Sequence, residues 1–178
     1  ASSFDPGPGT TISPTALPPL PDSPAFAPLA LTAGKDQARL VLDAATASRQ
    51  PDLVAITRRA TASGPLPAQW LTAGDRWSWE AWGPRTHLAD AAAEALALAA
   101  AAPGHVTAHW EDQLALLTLV GRRPDSWPHG LVEIREQLVE LGCGEAPLRT
   151  DGDAVRILVP ASESPRVASA LHEALLGS

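Results

Sequence analysis

Two segments that lie 76 positions apart resemble each other, and this repeat constrains the fold more than any other feature of the sequence. Residues 36–42 read Asp-Gln-Ala-Arg-Leu-Val-Leu, and residues 112–119 read Asp-Gln-Leu-Ala-Leu-Leu-Thr-Leu. After each segment come a Pro-containing loop, a helix-period stretch, two strand-like runs and a second helix-period stretch. Such repetition is typical of two copies of one small supersecondary unit.

The spacing of apolar residues predicts the same element order in both copies. Apolar runs and alternation indicate strands, whereas apolar residues three and four positions apart indicate helices. The predicted strands are 38–42, 69–72, 76–82, 114–120, 146–150 and 154–159. The predicted helices begin at 51, directly after the N-cap Thr86, at 130 and at 165. The order β-α-β-β-α in each copy predicts an α+β protein of two ferredoxin-like domains, with antiparallel sheets and helices on one face.

The sequence also predicts where the domains begin. Residues 1–30 are rich in proline and show no period, so we expect a linker there. The first domain is predicted over 31–106 and the second over 107–178. Because the chain has no methionine, we expect Ala1 not to be a natural start and the chain to be either a processed product or a fragment of a longer protein.

Charge and composition exclude several classes of function. The net charge of −7 and the single lysine, Lys35, argue against nucleic acid and against anionic membranes as partners. The sole cysteine, Cys143, rules out an internal disulfide, and the most apolar helical stretch, 89–102, is too short to span a bilayer. We therefore expect a cytoplasmic protein.

No catalytic motif is present in the sequence. There is no phosphate-binding glycine loop and no Ser-His-Asp arrangement, and Cys143 follows a predicted helix instead of opening one. His105 and His109 lie four apart in an apparent strand, where such positions share a face but are distant, so we expect no metal site. The sequence thus predicts a segment that is not an enzyme and needs no cofactor.

Four stretches in order carry a resemblance to a known family. They are Ser2-Ser3-Phe4-Asp5 with Gly9-Thr10, Lys35-Asp36-Gln37-Ala38-Arg39, Leu117-Thr118-Leu119-Val120-Gly121 with Pro128-His129-Gly130, and Leu171-His172-Glu173-Ala174-Leu175. The chain resembles the C-terminal regulatory region of aspartate kinases, a tandem pair of ACT domains. The resemblance implies a homodimer, feedback control by lysine or threonine, and an upstream kinase domain that phosphorylates L-aspartate with ATP.

The resemblance also implies an effector site near the first helix. The family has an Asp-x-Pro-Gly loop there; this chain keeps Asp43 and Pro51 but lacks the glycine. Asp43, Gln50 and Asp52 are candidates to bind the ammonium group and orient an amino acid, and the alternative for Asp52 is helix capping. Gln69, Trp70 and Thr72 occupy the position of the family's polar second strand.

A second carboxylate-binding candidate is the helix start at His129 and Gly130, for which the alternative is a simple loop-to-helix junction. The tryptophans near Trp70 are interpreted either as core and interface residues or as the lining of an apolar pocket formed by Trp70, Trp77 and Trp79. Two further functions therefore stay open. The pair of domains is either an oligomerisation scaffold without effector binding or a sensor of a different small molecule.

Overall fold

The computed structural model describes residues 27–62, 68–101, 104–122, 127–151 and 154–176, and in that part of the chain six strands and four helices form. In chain order they are β1 (Ala27–Ala44), α1 (Gln50–Ala60), β2 (Ala68–Ala73), β3 (Arg76–Pro84), α2 (Arg85–Ala101), β4 (Thr107–Arg122), α3 (Trp127–Glu140), β5 (Leu148–Asp151), β6 (Ala154–Pro160) and α4 (Ser164–Leu176). The predicted order β-α-β-β-α in both halves is confirmed. Residues 1–26 of the predicted linker lie outside the described residues, and residues 27–30 lie in β1.

The strands are hydrogen-bonded in the order β2-β3-β1-β4-β6-β5. The pairs β1–β3, β2–β3 and β5–β6 are antiparallel. The α+β class with antiparallel strands is therefore confirmed. Two strands are much longer than predicted. Strand β1 has 18 residues and β4 has 16.

The chain divides into two compact units. One unit is Lys35–Leu114, and the other contains the described residues 27–34 together with those from Ala115 onward. Both divisions fall inside a long strand, so β1 and β4 each contribute residues to both units. The predicted domains 31–106 and 107–178 remain a prediction.

The core of Lys35–Leu114 lies on one face of its strands. From Ala38 to Ala44 every second residue of β1 is apolar and buried, and these residues form one cluster with side chains of α1, β3 and α2. The members from β1 are Ala38, Leu40, Leu42 and Ala44, and the larger partners are Leu53, Trp79 and Leu88. The intervening positions of β1, which include Arg39 and Asp43, therefore lie on the face opposite the helices.

The other unit has a core of its own. It is built from β4, β6, α3 and α4, with Leu31 and Ala33 of β1 packed against it. Its fully buried large residues include Leu117, Leu119, Ile134, Leu138, Ile157 and Leu171. The same alternation in the strands and the same three-and-four spacing in the helices therefore produce this core. None of the helices in the described part of the chain is long and apolar enough to cross a membrane.

Candidate functional site

Asp43 lies at the end of β1, one residue before the segment that leads into α1. Its side chain is buried, and both carboxylate oxygens accept hydrogen bonds. Arg76 Nη2 donates to Oδ2 over 3.0 Å, and the Ser78 hydroxyl donates to Oδ1. Ser78 is the residue of β3 directly opposite Asp43, so the register of β1 and β3 creates this contact. The negative charge of Asp43 is thus compensated by residues of the same unit.

The first turn of α1 holds the other two candidates from this region. A 3₁₀ turn, Ala47–Arg49, leads into α1, which begins at Gln50 with Pro51 next. Proline suits this position because its missing N–H would have no helical partner there. Arg49 is the N-cap residue and makes no side-chain cap hydrogen bond. The interpretation of Asp52 as the cap is therefore wrong, since Asp52 lies inside the first turn.

Asp52 forms a polar group with the segment that precedes β4. Its Oδ2 lies 3.1 Å from His105 Nδ1 and 3.8 Å from Arg49 Nη1. His105 is in a turn before β4 and not in the strand. Because the partners of Asp43 come from β3, Asp43 and Asp52 belong to separate polar groups. No set of three His, Cys, Asp or Glu side chains within the described ranges is arranged to hold a metal ion.

Gln69 belongs to a row of polar side chains on the face opposite the helices. Its Nε2 donates to Oε2 of Glu80 over 3.1 Å, and Arg39 Nε donates to Oε1 of the same carboxylate over 2.5 Å. Arg39 Nη1 also lies 3.4 Å from Glu111 Oε2. The row therefore takes one residue from each of β2, β3, β1 and β4. We call these four residues, Gln69, Glu80, Arg39 and Glu111, the cross-strand row.

Glu80 is the central acid of the cross-strand row and is only 3% exposed. A buried carboxylate is strongly disfavoured unless a cation and hydrogen-bond donors compensate it, and Arg39 and Gln69 do so here. Arg39 and Glu80 were not predicted as partners from the sequence. Their pairing depends on the register of β1 against β3, which the sequence alone does not reveal.

Trp70 and Thr72 lie on the helix side of β2, where they are exposed. The ring of Trp70 meets that of Trp77 edge to face, with centroids 6.5 Å apart and an interplanar angle of 73°. Thr72 is directly opposite Trp77 in the register. Trp79 is part of the buried core and Trp77 packs against it, while Trp70 remains 45% exposed.

His129 and Gly130 lie in the other unit. They are the third and fourth residues of α3, because this helix begins at Trp127. The predicted helix start at Gly130 is therefore three residues late. Gly130 is buried.

The likeness of this chain to known proteins lies in its structure. No protein-family profile and no curated protein matches the sequence. The regulatory subunit of aspartate kinase from Thermus thermophilus, in its ligand-free form, superposes with a TM-score of 0.61 at 19% identity. That match covers 84% of this chain and 98% of the subunit. The regulatory subunit from Thermus flavus gives a TM-score of 0.62, also at 19% identity, over 83% and 98% of the two chains.

This chain has the fold of an aspartate kinase regulatory region. The same fold forms part of a larger enzyme, E. coli aspartokinase III in complex with lysine and aspartate. There the TM-score is 0.52 at 16% identity, and the match covers 84% of this chain but 34% of that one. The part of the enzyme that resembles this chain is thus about one third of its length.

Proposed function

We propose that this chain is a non-catalytic regulatory segment of an aspartate kinase-like protein, which binds an amino-acid effector and transmits the binding to an upstream kinase domain. The observation that carries the proposal is the likeness to free-standing regulatory subunits over 98% of their length. The order of the resembling sequence stretches supports it independently. On this proposal the segment acts in the cytoplasm, and the two domains are ACT domains.

The effector site of this proposal is the junction between β1 and α1. An α-amino acid carries an ammonium group and a carboxylate, so it needs an acid and a donor of positive potential close together. Asp43 supplies the acid at the end of β1. The start of α1 supplies the positive end of the helix dipole and the backbone N–H groups of its first turn other than at Pro51, and its N-cap residue, Arg49, makes no side-chain cap hydrogen bond.

Further residues complete the proposed site or form a second one. Asp52 in the first turn of α1 adds a second acid that favours an ammonium group. Among the candidates of β2, Gln69 lies on the face that carries Asp43 and offers an amide, whereas Trp70 and Thr72 lie on the helix side and offer a ring and a hydroxyl. His129 and Gly130 in the first turn of α3 form the corresponding candidate of the second half. Lysine and threonine are the proposed effectors.

Self-association through β2 is the second part of the proposal. β2 ends the order of hydrogen-bonded strands, and Trp70 and Leu71 on its two faces are 45% and 44% exposed. Exposed apolar edge strands favour pairing with another chain. At the other end of the order, β5 has four residues and carries Arg149 in its interior, which disfavours such pairing. We therefore assign β2, and not β5, to the homodimer.

Calorimetric titration of the chain with threonine and with lysine tests the effector proposal. We expect saturable binding of at least one of them, weakened at least tenfold in Asp43→Ala and in Gln50→Ala. Val132→Ala, which changes an exposed residue of α3, is the control and should bind as the parent chain does. A flat titration of a folded dimer would contradict the effector proposal and favour a scaffold role.

A further inference from the structure

The ion pair between Arg76 and Asp43 bears on how the proposed effector site is controlled. Arg76 Nη2 lies 3.0 Å from Asp43 Oδ2, one of the two carboxylate oxygens to which a ligand cation would bind. The other oxygen already accepts the Ser78 hydroxyl. A guanidinium group therefore takes the place on this carboxylate that an incoming ammonium group would need.

We propose that Arg76 is a built-in competitor, an autoinhibitory contact that an ammonium-bearing ligand must displace from Asp43. This inference rests on the proposed function, since it concerns the control of the same site. It assigns to Arg76 a role that is distinct from binding the ligand. The ligand class is a small molecule with a primary ammonium group.

The two partners differ in how firmly they are held. The side chain of Asp43 is 11% exposed, whereas that of Arg76 is 61% exposed. Asp43 lies on β1, which is flanked by β3 and β4 in the sheet. Arg76 is the first residue of β3, next to the turn that joins β3 to β2. Arg76 can therefore swing into solvent and be rehydrated at small cost, but Asp43 cannot.

Ser78 keeps the carboxylate in place when the arginine leaves. Its hydroxyl is opposite Asp43 in the strand register and carries no charge. Without Arg76, a largely buried negative charge would have a neutral donor as its remaining described partner. Burial without a counter-charge is costly, so the carboxylate would take up a ligand cation more readily.

The variant Arg76→Gln removes the competing guanidinium group and leaves Asp43 unchanged. We expect it to tighten binding of threonine or lysine by up to about fivefold, which corresponds to the upper end of the strength of exposed ion pairs. Arg76→Lys keeps a cation next to Asp43 and should bind as the parent chain does. Arg85→Gln is the matched control. Arg85 Nε lies 3.1 Å from Oδ1 of Asp36, which is on β1 like Asp43 but seven residues before it.

Calorimetry of the four chains, each checked for folding by thermal denaturation, distinguishes the outcomes. Tighter binding in Arg76→Gln alone supports the competitor. Unchanged or weaker binding in Arg76→Gln, with the parent chain still binding, overturns it and leaves the proposed function intact. Absence of binding in every folded chain contradicts the proposed function, and the competitor falls with it.

Discussion

Asp36 in β1 and Gln113 in β4 share a left-handed backbone conformation, with φ of 54° and 57°. Each lies next to the point where its strand passes from one compact unit to the other. Both belong to the repeated Asp-Gln pairs, although one copy uses the aspartate and the other the glutamine. The repeat thus marks the two places at which a long strand departs from extended geometry.

Replacing Gln113 by glycine should stabilise the protein slightly. A left-handed conformation costs a residue with a side chain about 1–2 kcal/mol, and glycine avoids this cost. Glycine loses about 0.5–1 kcal/mol more backbone entropy on folding, so we expect a net gain of about 0.5 kcal/mol. Chemical denaturation measures it. Gln113→Val, which adds a β-branched side chain at positive φ, should instead destabilise, and equal stability of the two variants would contradict this account.

Loss of the central acid of the cross-strand row should be costly. Glu80→Ala leaves the half-buried Arg39 without its shortest ion pair, and we expect a loss of about 2–3 kcal/mol in the free energy of unfolding. Glu111→Ala is the control. Glu111 contacts the same arginine but is half exposed, so its loss should cost about 0.5 kcal/mol or less. Equal losses in the free energy of unfolding for the two variants would contradict the claim that burial determines how much each acid of the cross-strand row stabilises the protein.

The space next to Gly144 predicts a pair of compensating substitutions. A Cβ added there would lie 2.8 Å from Val139 Cγ2, which is closer than such atoms approach in proteins. We expect Gly144→Ala to destabilise by about 1 kcal/mol, because Val139 must move to accommodate the methyl group. Val139→Ala should cost little by itself, since Val139 is 61% exposed, and should remove most of the penalty in the double variant. If denaturation experiments show that the destabilisations of Gly144→Ala and Val139→Ala add in the double variant, the proposed clash between the two residues is contradicted.

Much of this fold could be predicted from the sequence, but strand lengths and registers could not. The order of the elements could be predicted from apolar periodicity, because the core of each unit is built from every second residue of its strands and from one face of each helix. The ends of β1 and β4 were missed since polar residues such as Asp36 and Asp112 interrupt the apolar runs there. These residues lie next to backbone that passes between two units, so tertiary context and not local pattern sets their conformation.

The candidate site shows the same division. Asp43 and the start of α1 could be placed near each other from the sequence, because a short segment joins them. The partners of Asp43 could not, since Arg76 and Ser78 reach it only through the register of β1 against β3. Glu80 was not predicted either, because its contact with Arg39 depends on the same register.

The assignment of β2 to the homodimer predicts that a charge on that strand dissociates the dimer. Leu71→Lys places an ammonium group on an exposed apolar edge, and we expect the dissociation constant to rise at least tenfold. Val132→Lys, an equivalent change on exposed α3, should leave it unchanged. Sedimentation velocity over a range of concentrations measures both. A dimer that withstands Leu71→Lys would place the interface elsewhere.

An amide NMR titration of the ¹⁵N-labelled chain with threonine and with lysine tests whether an amino acid binds at the junction between β1 and α1. We predict saturable shifts centred on Asp43 and on residues 46–53, from the end of β1 through the first turn of α1. The amides at the exposed end of α4 should not shift. Spectra that stay unchanged up to tens of millimolar of either amino acid, or shifts confined to residues far from this junction, would contradict the proposal that the segment senses an amino acid there.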